Sequence, residues 1–503
     1  MRARFPISLG AGAAACVLAA ACGAAAPADT STPTIAASAI PASAPAGAPV
    51  RDWPEFGFDA QRSDVASGPT GITAANVSHL HRLRVSLPGT VDSSPVYLHG
   101  AAVGGASHDV IVVTTTYGRT LALDAAGGRI LWTFTPPGYR SWAGSSQITT
   151  TSPLADPGRQ FVYAASPNGL VHKLALQNGA EAPGWPARVT LEPRREKLAA
   201  ALNIDGPYLV ATTGGYFGDA PPYQGHVALI DRTSGHLVSV FNTLCSNRRG
   251  LIVPSSCSAS DSAILSRAGA VVEPGGGRLL IDTGNGPWNG ATNFGDSVIE
   301  LTVPGLRLRQ AFTPVDQSHL NQTDTDLGSS GPALLGGDRV IVAGKDGVLR
   351  VLALSRLNGH PSGRGSASTR RLGGELQRLQ VPGGAELWSA PAVWRHGGEA
   401  TAFVADEAGT AAYVLRRGRL LRAWQNSNPG TSPVLAGGML FVYDLRGGGI
   451  NVYRPASPRP IAKLPGASGH WNSPIVADGH VVEPEGNAND HAETGTLEIF
   501  SAG

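Results

Sequence analysis

Charge is scarce in this sequence, and its two signs nearly cancel. Only 15% of the 503 residues are Asp, Glu, Lys or Arg, and the formal net charge is +2. This balance gives no electrostatic basis for a nucleic-acid partner. The chain also lacks G-x-S-x-G, H-E-x-x-H and P-loop motifs, and no convincing G-x-G-x-x-G opens a helix. Hydrolytic and nucleotide-binding functions therefore have no support in the sequence.

The N-terminal apolar run is too short for a comfortable membrane span. It covers Ile7–Ala21, whereas a span needs roughly 20 apolar residues. Because Arg2 and Arg4 precede it, residues 1–21 are predicted to be a secretory signal that is removed. The segment "LAAAC" resembles a bacterial lipobox, which predicts that Cys22 is lipidated and anchors the protein. Plain secretion after cleavage nearby is the alternative.

Residues 22–50 contain little that can form a core. They are almost entirely Ala, Pro, Ser and Thr. This composition predicts a disordered linker between the envelope and the folded domain. The predicted domain then covers residues 51–503.

Cysteine is also rare, with four residues in the whole chain. Two of them belong to the signal region, and the other two, Cys245 and Cys257, lie in one loop-like stretch. In an exported protein, two isolated cysteines this close together indicate a disulfide. Two free thiols are the alternative.

Glycine and proline, in contrast, are abundant and punctuate a repeat. The chain has 65 Gly and 38 Pro. The phrase "GRTLALDAAGGRILWTF", which begins at Gly118, has relatives that bring the total to eight copies. A second phrase with a proline, such as "SSPVYL", precedes most of them. The spacing of about 40 to 60 residues is typical of propeller blades.

Each repeat can be divided into four short strands. In the first repeat, alternation places Leu121 and Leu123 on one face of a strand, and "AAGG" suits a hairpin turn. A single four-stranded sheet cannot bury both of its faces, whereas blades stacked around an axis do so. The sequence therefore predicts an all-β, eight-bladed β-propeller of four-stranded antiparallel blades. A seven-bladed ring with one degenerate unit is the alternative.

The last repeat ends before a fourth strand can form. The chain stops after "GTLEIFSAG", whereas His79–Leu87 is a strand-like segment that has no blade of its own. We therefore expect His79–Leu87 to complete the last blade, which closes the ring and removes a free edge.

The repeat resembles that of a known superfamily. The pattern G-x-x-x-A-L-D-x-x-x-G-x-x-x-W, here with Asp124, Gly128 and Trp132, is similar to the repeat of pyrroloquinoline-quinone-like propellers. The resemblance extends from about Asp52 to the C-terminus. The superfamily includes quinoprotein alcohol dehydrogenases, the propeller lipoprotein of the outer-membrane barrel-assembly machinery and other envelope proteins, so the fold does not select an activity.

The resemblance implies a set of candidate site residues. In the dehydrogenases the quinone lies on the propeller axis beside a calcium ion. The segment "TGNGPW" implies that Asn285 and Trp288 bind this cofactor, with Asn285 as a calcium ligand. A later loop implies that Asp324 or Asp326 is the catalytic aspartate, with Asp326 also a metal ligand. Lys345 in "GKDG" corresponds to a lysine that approaches the cofactor.

Two features of these dehydrogenases are missing. No adjacent cysteine pair occurs to cover the quinone. The calcium-binding glutamate falls where this chain has Phe217, and Asp219 is the nearest substitute ligand. The chain also has no C-x-x-C-H motif for haem, so any electron acceptor would be a separate protein.

Several of these residues also have plain structural interpretations. Asn285 lies between two glycines and suits a turn with positive φ. Asp324 and Asp326 in a Thr-rich loop suit capping or solvation. Asp124 and Asp231 each precede a turn and are expected to bond to the hairpin backbone.

Three hypotheses for function remain open. The missing features favour a non-catalytic, lipid-anchored envelope propeller that binds a protein or another ligand on one face. The second hypothesis is a quinone- and calcium-dependent dehydrogenase of an alcohol or sugar with a modified site. The third is a propeller that retains a metal or a quinone-like ligand without turnover.

Overall fold

The described residues form eight sheets arranged as the blades of a propeller. The computed structural model describes residues 32–41, 48–216, 218, 220–360 and 368–503. Each sheet holds four consecutive antiparallel strands, except that the last takes one strand from the N-terminal region and one sheet gains a short fifth strand. The first strands contact one another at several of the junctions between neighbouring blades and lie around a common axis. The predicted eight-bladed fold is confirmed.

The blades are numbered in chain order, and each is given from its inner to its outer strand. Blades 1 to 3 consist of Val96–Val103, Ala106–Thr114, Thr120–Asp124 and Ile130–Phe134; Leu154–Ala155, Phe161–Ser166, Leu170–Ala175 and Ala187–Arg188; and Asn203–Asp205, Tyr208–Thr212, His226–Asp231 and Leu237–Asn242. Blades 4 to 6 consist of Val271–Val272, Arg278–Asp282, Val298–Thr302 and Leu308–Phe312; Ala333–Gly336, Arg339–Val342, Val348–Ala353 and Gln377–Gln380; and Ala392–His396, Glu399–Ala405, Thr410–Arg416 and Arg419–Asn426. Blades 7 and 8 consist of Val434–Ala436, Met439–Tyr443, Ile450–Tyr453 and Pro460–Leu464; and Ile475–Ala477, His480–Glu485, Gly495–Ser501 and His81–Leu87.

Helical structure is minor in the described part of the chain. It comprises one α-helix, Gln317–Gln322, and seven short 3-10 turns: Ala37–Ala39, Val77–His79, Tyr139–Ser141, Pro254–Ser256, Leu327–Ser329, Ser368–Arg370 and Ala488–Asp490. Among the described residues, no helix combines the length and the apolar character needed to cross a membrane.

The ring is closed by the N-terminal strand that the sequence predicts. His81–Leu87 pairs antiparallel with Gly495–Ser501, from His81 opposite Ser501 to Leu87 opposite Gly495. The two guanidinium contacts of Arg82 with the Glu498 carboxylate, both 2.8 Å, add a bidentate pair across this junction. The strand begins two residues later than expected because Val77–His79 forms a 3-10 turn.

Hairpins and blade contacts follow the repeat. Asp231 Oδ1 accepts the backbone N–H of Ser234 at 2.8 Å, and Asp124 Oδ1 accepts that of Ala126 at 3.2 Å, so the expected hairpin role is confirmed.

Trp132 Nε1 donates to the Leu176 carbonyl of the next blade at 2.8 Å. Trp424 does the same to Pro455 at 2.7 Å. These indoles link the outer strand of one blade to the following blade.

Residues 50–72, which we call the axial plug, cover one end of the axis. The plug contacts the inner strands of most blades through its backbone. Its hydrogen-bonding pairs are Trp53 with Tyr97, Pro54 with Ala155, Ala60 with Val272, Ser63 with Val393 and Val50 with Asp478. Val65–Ala66 also pairs in parallel with Leu435–Ala436 and is the fifth strand of that sheet.

Arg62 is the polar centre of the axial plug. Its side chain is 1% exposed and forms a 2.8 Å ion pair with Glu55. It also donates to the carbonyls of Phe56 and Leu202, each at 2.6 Å, and to that of Ala268 at 3.2 Å. Arg62 therefore joins the plug to blades 3 and 4.

Part of the segment expected to be a linker contacts the propeller. Ile35 N–H donates to the Arg422 carbonyl at 2.9 Å, and Arg422 N–H donates to Pro33 at 2.8 Å. Ile40 is 3% exposed and packs with residues of blades 6 and 7, and Val50 is buried beside the axis. These branched apolar side chains are the exceptions in a stretch of mostly Ala, Pro, Ser and Thr. Residues 1–31, with the predicted signal and Cys22, and residues 42–47 lie outside the described residues.

The cysteine prediction is confirmed. Cys245 and Cys257 form a disulfide across a sequence separation of 12 residues. It closes the loop that follows the outer strand of blade 3, and Cys257 packs there with Leu244 and Ile252.

Candidate functional site

The propeller has two different faces. The loops that lead into the first strands, such as residues 88–95, share one face with the loops between second and third strands, such as residues 283–297. We call this the mouth face. The opposite, hairpin face carries the turns between first and second strands and between third and fourth strands. The axial plug contacts the blades at this end, where Gly437 and Gly479 donate to its Ala66 and Thr70 carbonyls.

The structure brings four of the predicted site residues together on the mouth face. Asn285 donates its backbone N–H to Asp326 Oδ1 and its side-chain Nδ2 to Asp324 Oδ1, both at 2.7 Å. Lys345 Nζ lies 2.6 Å from Asp326 Oδ2 and 3.3 Å from Asp324 Oδ1. We call these four residues the blade 4–5 cluster. Sequence similarity alone therefore identified side chains that are neighbours in space.

The main opposite charges in this cluster are those of the Asp326 carboxylate and the Lys345 ammonium. Burial raises the pKa of Asp326, and the nearby Lys345 ammonium opposes this effect. Burial alone would lower the pKa of Lys345, but Asp326 and Asp324 raise it, so the lysine stays charged. Asp324, whose side chain is 73% exposed, is solvated.

Two further carboxyl groups are buried behind the cluster. Burial raises the pKa of Asp282 to about 7 and that of Asp296 to about 8, and the Asp326 charge adds to both effects. Asp282 accepts the Gly331 N–H at 2.9 Å, and Asp296 accepts the Leu327 N–H at 3.2 Å. These contacts hold the loop that carries Asp326 against blade 4.

Trp288, another predicted site residue, is not part of this cluster. Trp288 pairs with Phe294 inside its own loop, and within the described residues its indole N–H is buried without a hydrogen-bond partner. Asp219, like Phe217, lies outside the described residues. Tyr216 beside them donates its hydroxyl to the Pro193 carbonyl at 2.7 Å.

A second polar network on the mouth face was not found from the sequence. Arg267 Nη2 lies 2.6 Å from Asp92 Oδ1, and its Nη1 donates to the Thr150 carbonyl at 3.0 Å. His470 Nδ1 lies 2.6 Å from Asp92 Oδ2, which also accepts the Ala488 N–H at 2.9 Å. Residues from blades 1, 2, 4 and 8 thus meet here.

The charges of this network shift its neighbours. Although burial works in the opposite direction, Arg267 and His470 hold the pKa of Asp92 well below its usual range. Burial lowers the pKa of Lys197 to about 8, and the positive charge of Arg267 adds to this effect.

Aromatic side chains lie beside both polar networks. The Trp388 and Trp471 rings stack with centroids 4.5 Å apart, and His470 stacks on Trp471 at 3.8 Å. Lys345 Nζ lies 5.0 Å from the Trp388 ring, and the Arg267 guanidinium lies 5.6 Å from the Trp471 ring. These distances are within the range of cation–π interactions.

One sequence signal points to these residues in retrospect. Asp92, Thr150, Trp388 and Trp471 each lie three positions before the proline of the second repeated phrase. Because that phrase leads into the inner strand of six blades, 1, 2, 5, 6, 7 and 8, the equivalent position recurs on the mouth face. Aligning the prolines identifies the position, although not the contacts between blades.

The hairpin face has a smaller titratable cluster. His99 Nδ1 lies 2.6 Å from Asp478 and 3.0 Å from Asp109, a grouping that could hold a metal ion. However, the Arg51 guanidinium lies 2.8 Å from the other ring nitrogen. An acceptor role for that nitrogen places the imidazole proton on Nδ1, so His99 is satisfied as a donor to Asp478 without a metal.

The comparisons with known proteins agree on the fold. A family model described as outer membrane protein assembly factor BamB matches residues 65–251. No curated protein matches the chain. Among solved structures, the quinohemoprotein alcohol dehydrogenase from Comamonas testosteroni has a TM-score of 0.64 at 14% identity, covering 90% of this chain and 80% of that one.

Two other solved structures are also similar. A europium-containing methanol dehydrogenase has a TM-score of 0.63 at 14% identity, covering 90% of this chain and 98% of that one. BamB from Moraxella catarrhalis has a TM-score of 0.52 at 13% identity, covering 84% and 100%. At these identities the likeness concerns the fold alone.

The fold and the repeat therefore define an eight-bladed propeller with a polar mouth. The shared fold and the family-model match over residues 65–251 are consistent with the resemblance of the repeat to pyrroloquinoline-quinone-like propellers.

The described residues fit the cofactor of the dehydrogenases only in part. Asn285 Oδ1 is buried and has no hydrogen-bond partner among the described residues, so one oxygen is left for a ligand. The carboxylates of Asp324 and Asp326, however, are already paired with Lys345. Calcium needs several hard oxygen ligands. This arrangement does not supply them, and the catalytic and metal roles implied by the resemblance stay predictions.

Proposed function

We propose that this protein is an exported propeller of the cell envelope that binds a partner on its mouth face without catalysing a reaction. Its predicted anchor is the lipid on Cys22. The family-model match to BamB and the disulfide are compatible with an envelope location.

One observation carries the non-catalytic part of the proposal. The groups that the resemblance assigns to metal binding and proton abstraction are engaged by one another, with Lys345 Nζ 2.6 Å from Asp326. A general base must present a free acceptor to its substrate, and a calcium site must present several. An internal ammonium between the two carboxylates opposes both uses.

The same face suits recognition of a partner. Trp388, Trp471 and His470 are half-buried on it, next to Lys345 and Arg267. Aromatic and arginine side chains on a rigid framework are frequent energetic centres of binding surfaces. Because these side chains come from blades 4, 5, 6 and 8, the ring holds their relative positions.

A modified quinoprotein dehydrogenase is the second candidate. The unpartnered Oδ1 of Asn285 favours it, since this oxygen corresponds to the calcium ligand of the dehydrogenases. In that case Asn285 and Asp326 would hold the metal, which would polarise a quinone carbonyl when both are bound.

The experiment adds calcium and pyrroloquinoline quinone to the purified protein. We expect no change in the absorbance spectrum of the quinone and no alcohol-dependent dye reduction. Robust turnover that is lost in both Asn285→Ala and Asp326→Ala would establish the second candidate instead. Quinone binding without turnover would indicate a propeller that retains a quinone-like ligand.

A separate measurement tests the binding surface in cells. A photo-crosslinking amino acid is placed at position 388 on the mouth face, and a matched one at exposed position 129 on the hairpin face. We expect a discrete crosslinked product in the envelope fraction from position 388 alone. Equal products from both positions, or none from position 388, would contradict the proposed surface.

A further inference from the structure

The hairpin face carries a local excess of positive charge on blades 6 and 7. Five exposed arginines lie in its turns and adjoining strand ends, and we call them the arginine patch: Arg395, Arg417, Arg419, Arg454 and Arg459. Among the described residues, no carboxylate forms an ion pair with any of the five, whereas Arg416 in the same turn pairs with Glu399 at 2.9 Å. Because the formal net charge of the whole chain is only +2, these five arginines form a local concentration of positive charge.

Contacts between blades 6 and 7 place the blade 7 turn against the outer strand of blade 6. The outer strand of blade 6 contacts the blade 7 turn that carries Arg454 and Arg459. Trp424 Nε1 donates to the Pro455 carbonyl and Asn426 Nδ2 to the Pro458 carbonyl, each at 2.7 Å. The two arginine-bearing turns therefore flank the outer strand of blade 6, with Arg417 and Arg419 at its beginning and the blade 7 turn beside its end.

The N-terminal segment reaches the propeller beside this patch. Thr34 pairs with Arg422 in parallel. The strand Arg419–Asn426 therefore runs in the same direction as the segment, so Thr32 lies toward the Arg419 end. Ile40 of the segment and Ala456 of the blade 7 turn pack in one apolar cluster.

We propose that the arginine patch docks on the anionic lipid headgroups of a membrane surface. The inference deepens the proposed envelope location. The predicted lipidation point, Cys22, precedes Thr32 by only ten residues. Ten residues span at most about 36 Å when extended. A lipid at Cys22 would therefore hold this edge of the propeller near the headgroups, where clustered arginines are attracted to negative surface potential.

The choice of a lipid surface over nucleic acid rests on two observations. The patch adjoins the point where the chain leads back toward the predicted signal and anchor. The whole chain has a formal net charge of only +2, which gives little long-range attraction for a polyanion in solution. A lipid anchor would hold the patch near the membrane, so that binding to the headgroups would not require long-range attraction.

The test is an arginine footprint of the full chain on vesicles. The protein is reconstituted on phosphatidylcholine vesicles with or without phosphatidylglycerol, treated with phenylglyoxal and analysed by mass spectrometry. We expect the patch to react at least about threefold more slowly on vesicles with about 30% phosphatidylglycerol. Raising the salt from about 0.1 M to about 0.5 M should restore its reactivity, because screening shortens the range of the attraction.

Four exposed arginines elsewhere provide an internal control: Arg129, Arg140, Arg188 and Arg194. We expect their reactivity to be the same on both kinds of vesicle. A fourfold substitution of Arg417, Arg419, Arg454 and Arg459 to Ser should remove the protection of Arg395. The matched fourfold substitution of the control arginines to Ser should leave it, and equal thermal unfolding of both variants shows that they fold.

Two outcomes would overturn the inference. One is equal reactivity of the patch on anionic and neutral vesicles. The other is protection by a short DNA duplex as strong as that by vesicles, which would assign the patch to polyanions in general. Because the footprint requires no mouth-face partner, failure of the proposed partner binding would leave this result unchanged.

Discussion

At the scale of single residues, the mouth face buries several ionisable side chains close to one another. Asp282, Asp296 and Asp326 are all buried where blades 4 and 5 meet, and Lys345 is the cation that lies between Asp324 and Asp326. Burial destabilises each ionised carboxylate. The region therefore ties the stability of the protein to pH.

The first prediction concerns this pH dependence. The pKa of Asp296 is raised to about 8 and that of Asp282 to about 7, so between about pH 4 and 8 the folded state holds protons that the unfolded state releases. The free energy of unfolding should therefore fall as pH rises through this window, by up to about 1.4 kcal/mol per pH unit for each proton. Urea unfolding at several pH values measures the slope.

Asp296→Asn should flatten this slope, because an amide at position 296 does not titrate and still accepts the Leu327 N–H. Asp324→Asn is the matched control, since that side chain is 73% exposed. An unchanged slope in Asp296→Asn would show that Asp296 is ionised in the folded protein.

The second prediction concerns Lys345. Lys345→Met leaves Asp326, whose side chain is 9% exposed, without its cation. Breaking such a pair typically costs about 3–5 kcal/mol, and the loss should be larger at pH 8 than at pH 5, because protonation at low pH removes the unpaired charge. Lys345→Arg keeps a cation and should lose much less. Equal stability of the Met variant and the wild type at pH 8 would contradict the ion pair.

At the scale of elements, the sequence repeat predicts the strands that recur in each blade, but not the contacts that occur only once in the molecule. The closing strand was predictable because His81–Leu87 has the length and alternation of a strand and lacked a blade. The axial plug was not, because its contacts are backbone hydrogen bonds to inner strands remote in sequence, for example Ala60 with Val272. The network around Asp92 was missed for the same reason, since its members come from different blades.

The third prediction tests the axial plug through Arg62. Arg62→Met removes donors from the Leu202 and Ala268 carbonyls and leaves Glu55 without its partner. We expect a loss of about 3–5 kcal/mol in the free energy of unfolding. Arg51→Met changes an exposed arginine of the same segment and should have little effect. Equal stability of Arg62→Met and Arg51→Met would contradict a contribution of the plug to folding.

At the scale of the whole molecule, stability depends on closing a ring. Every blade buries its faces against two neighbours, and blade 8 is completed only by a strand from the other end of the sequence. Two N-terminal elements act on this ring in different ways. His81–Leu87 covers the edge of Gly495–Ser501, whereas the axial plug connects inner strands.

The fourth prediction separates these two contributions by truncation. A chain beginning at Thr73 lacks the plug and keeps the closing strand, so we expect a folded monomer of lower thermal stability. A chain beginning at Pro88 lacks both, and its exposed strand edge should cause aggregation, because unpaired edges pair with other chains. Size-exclusion chromatography and thermal unfolding distinguish the two. A peptide covering residues 79–89, added during refolding, should suppress aggregation of the shorter chain if the missing strand is its cause. A monomeric, fully folded chain from Pro88 would contradict the requirement for ring closure. Aggregation of both chains would show that the axial plug is itself needed to prevent aggregation.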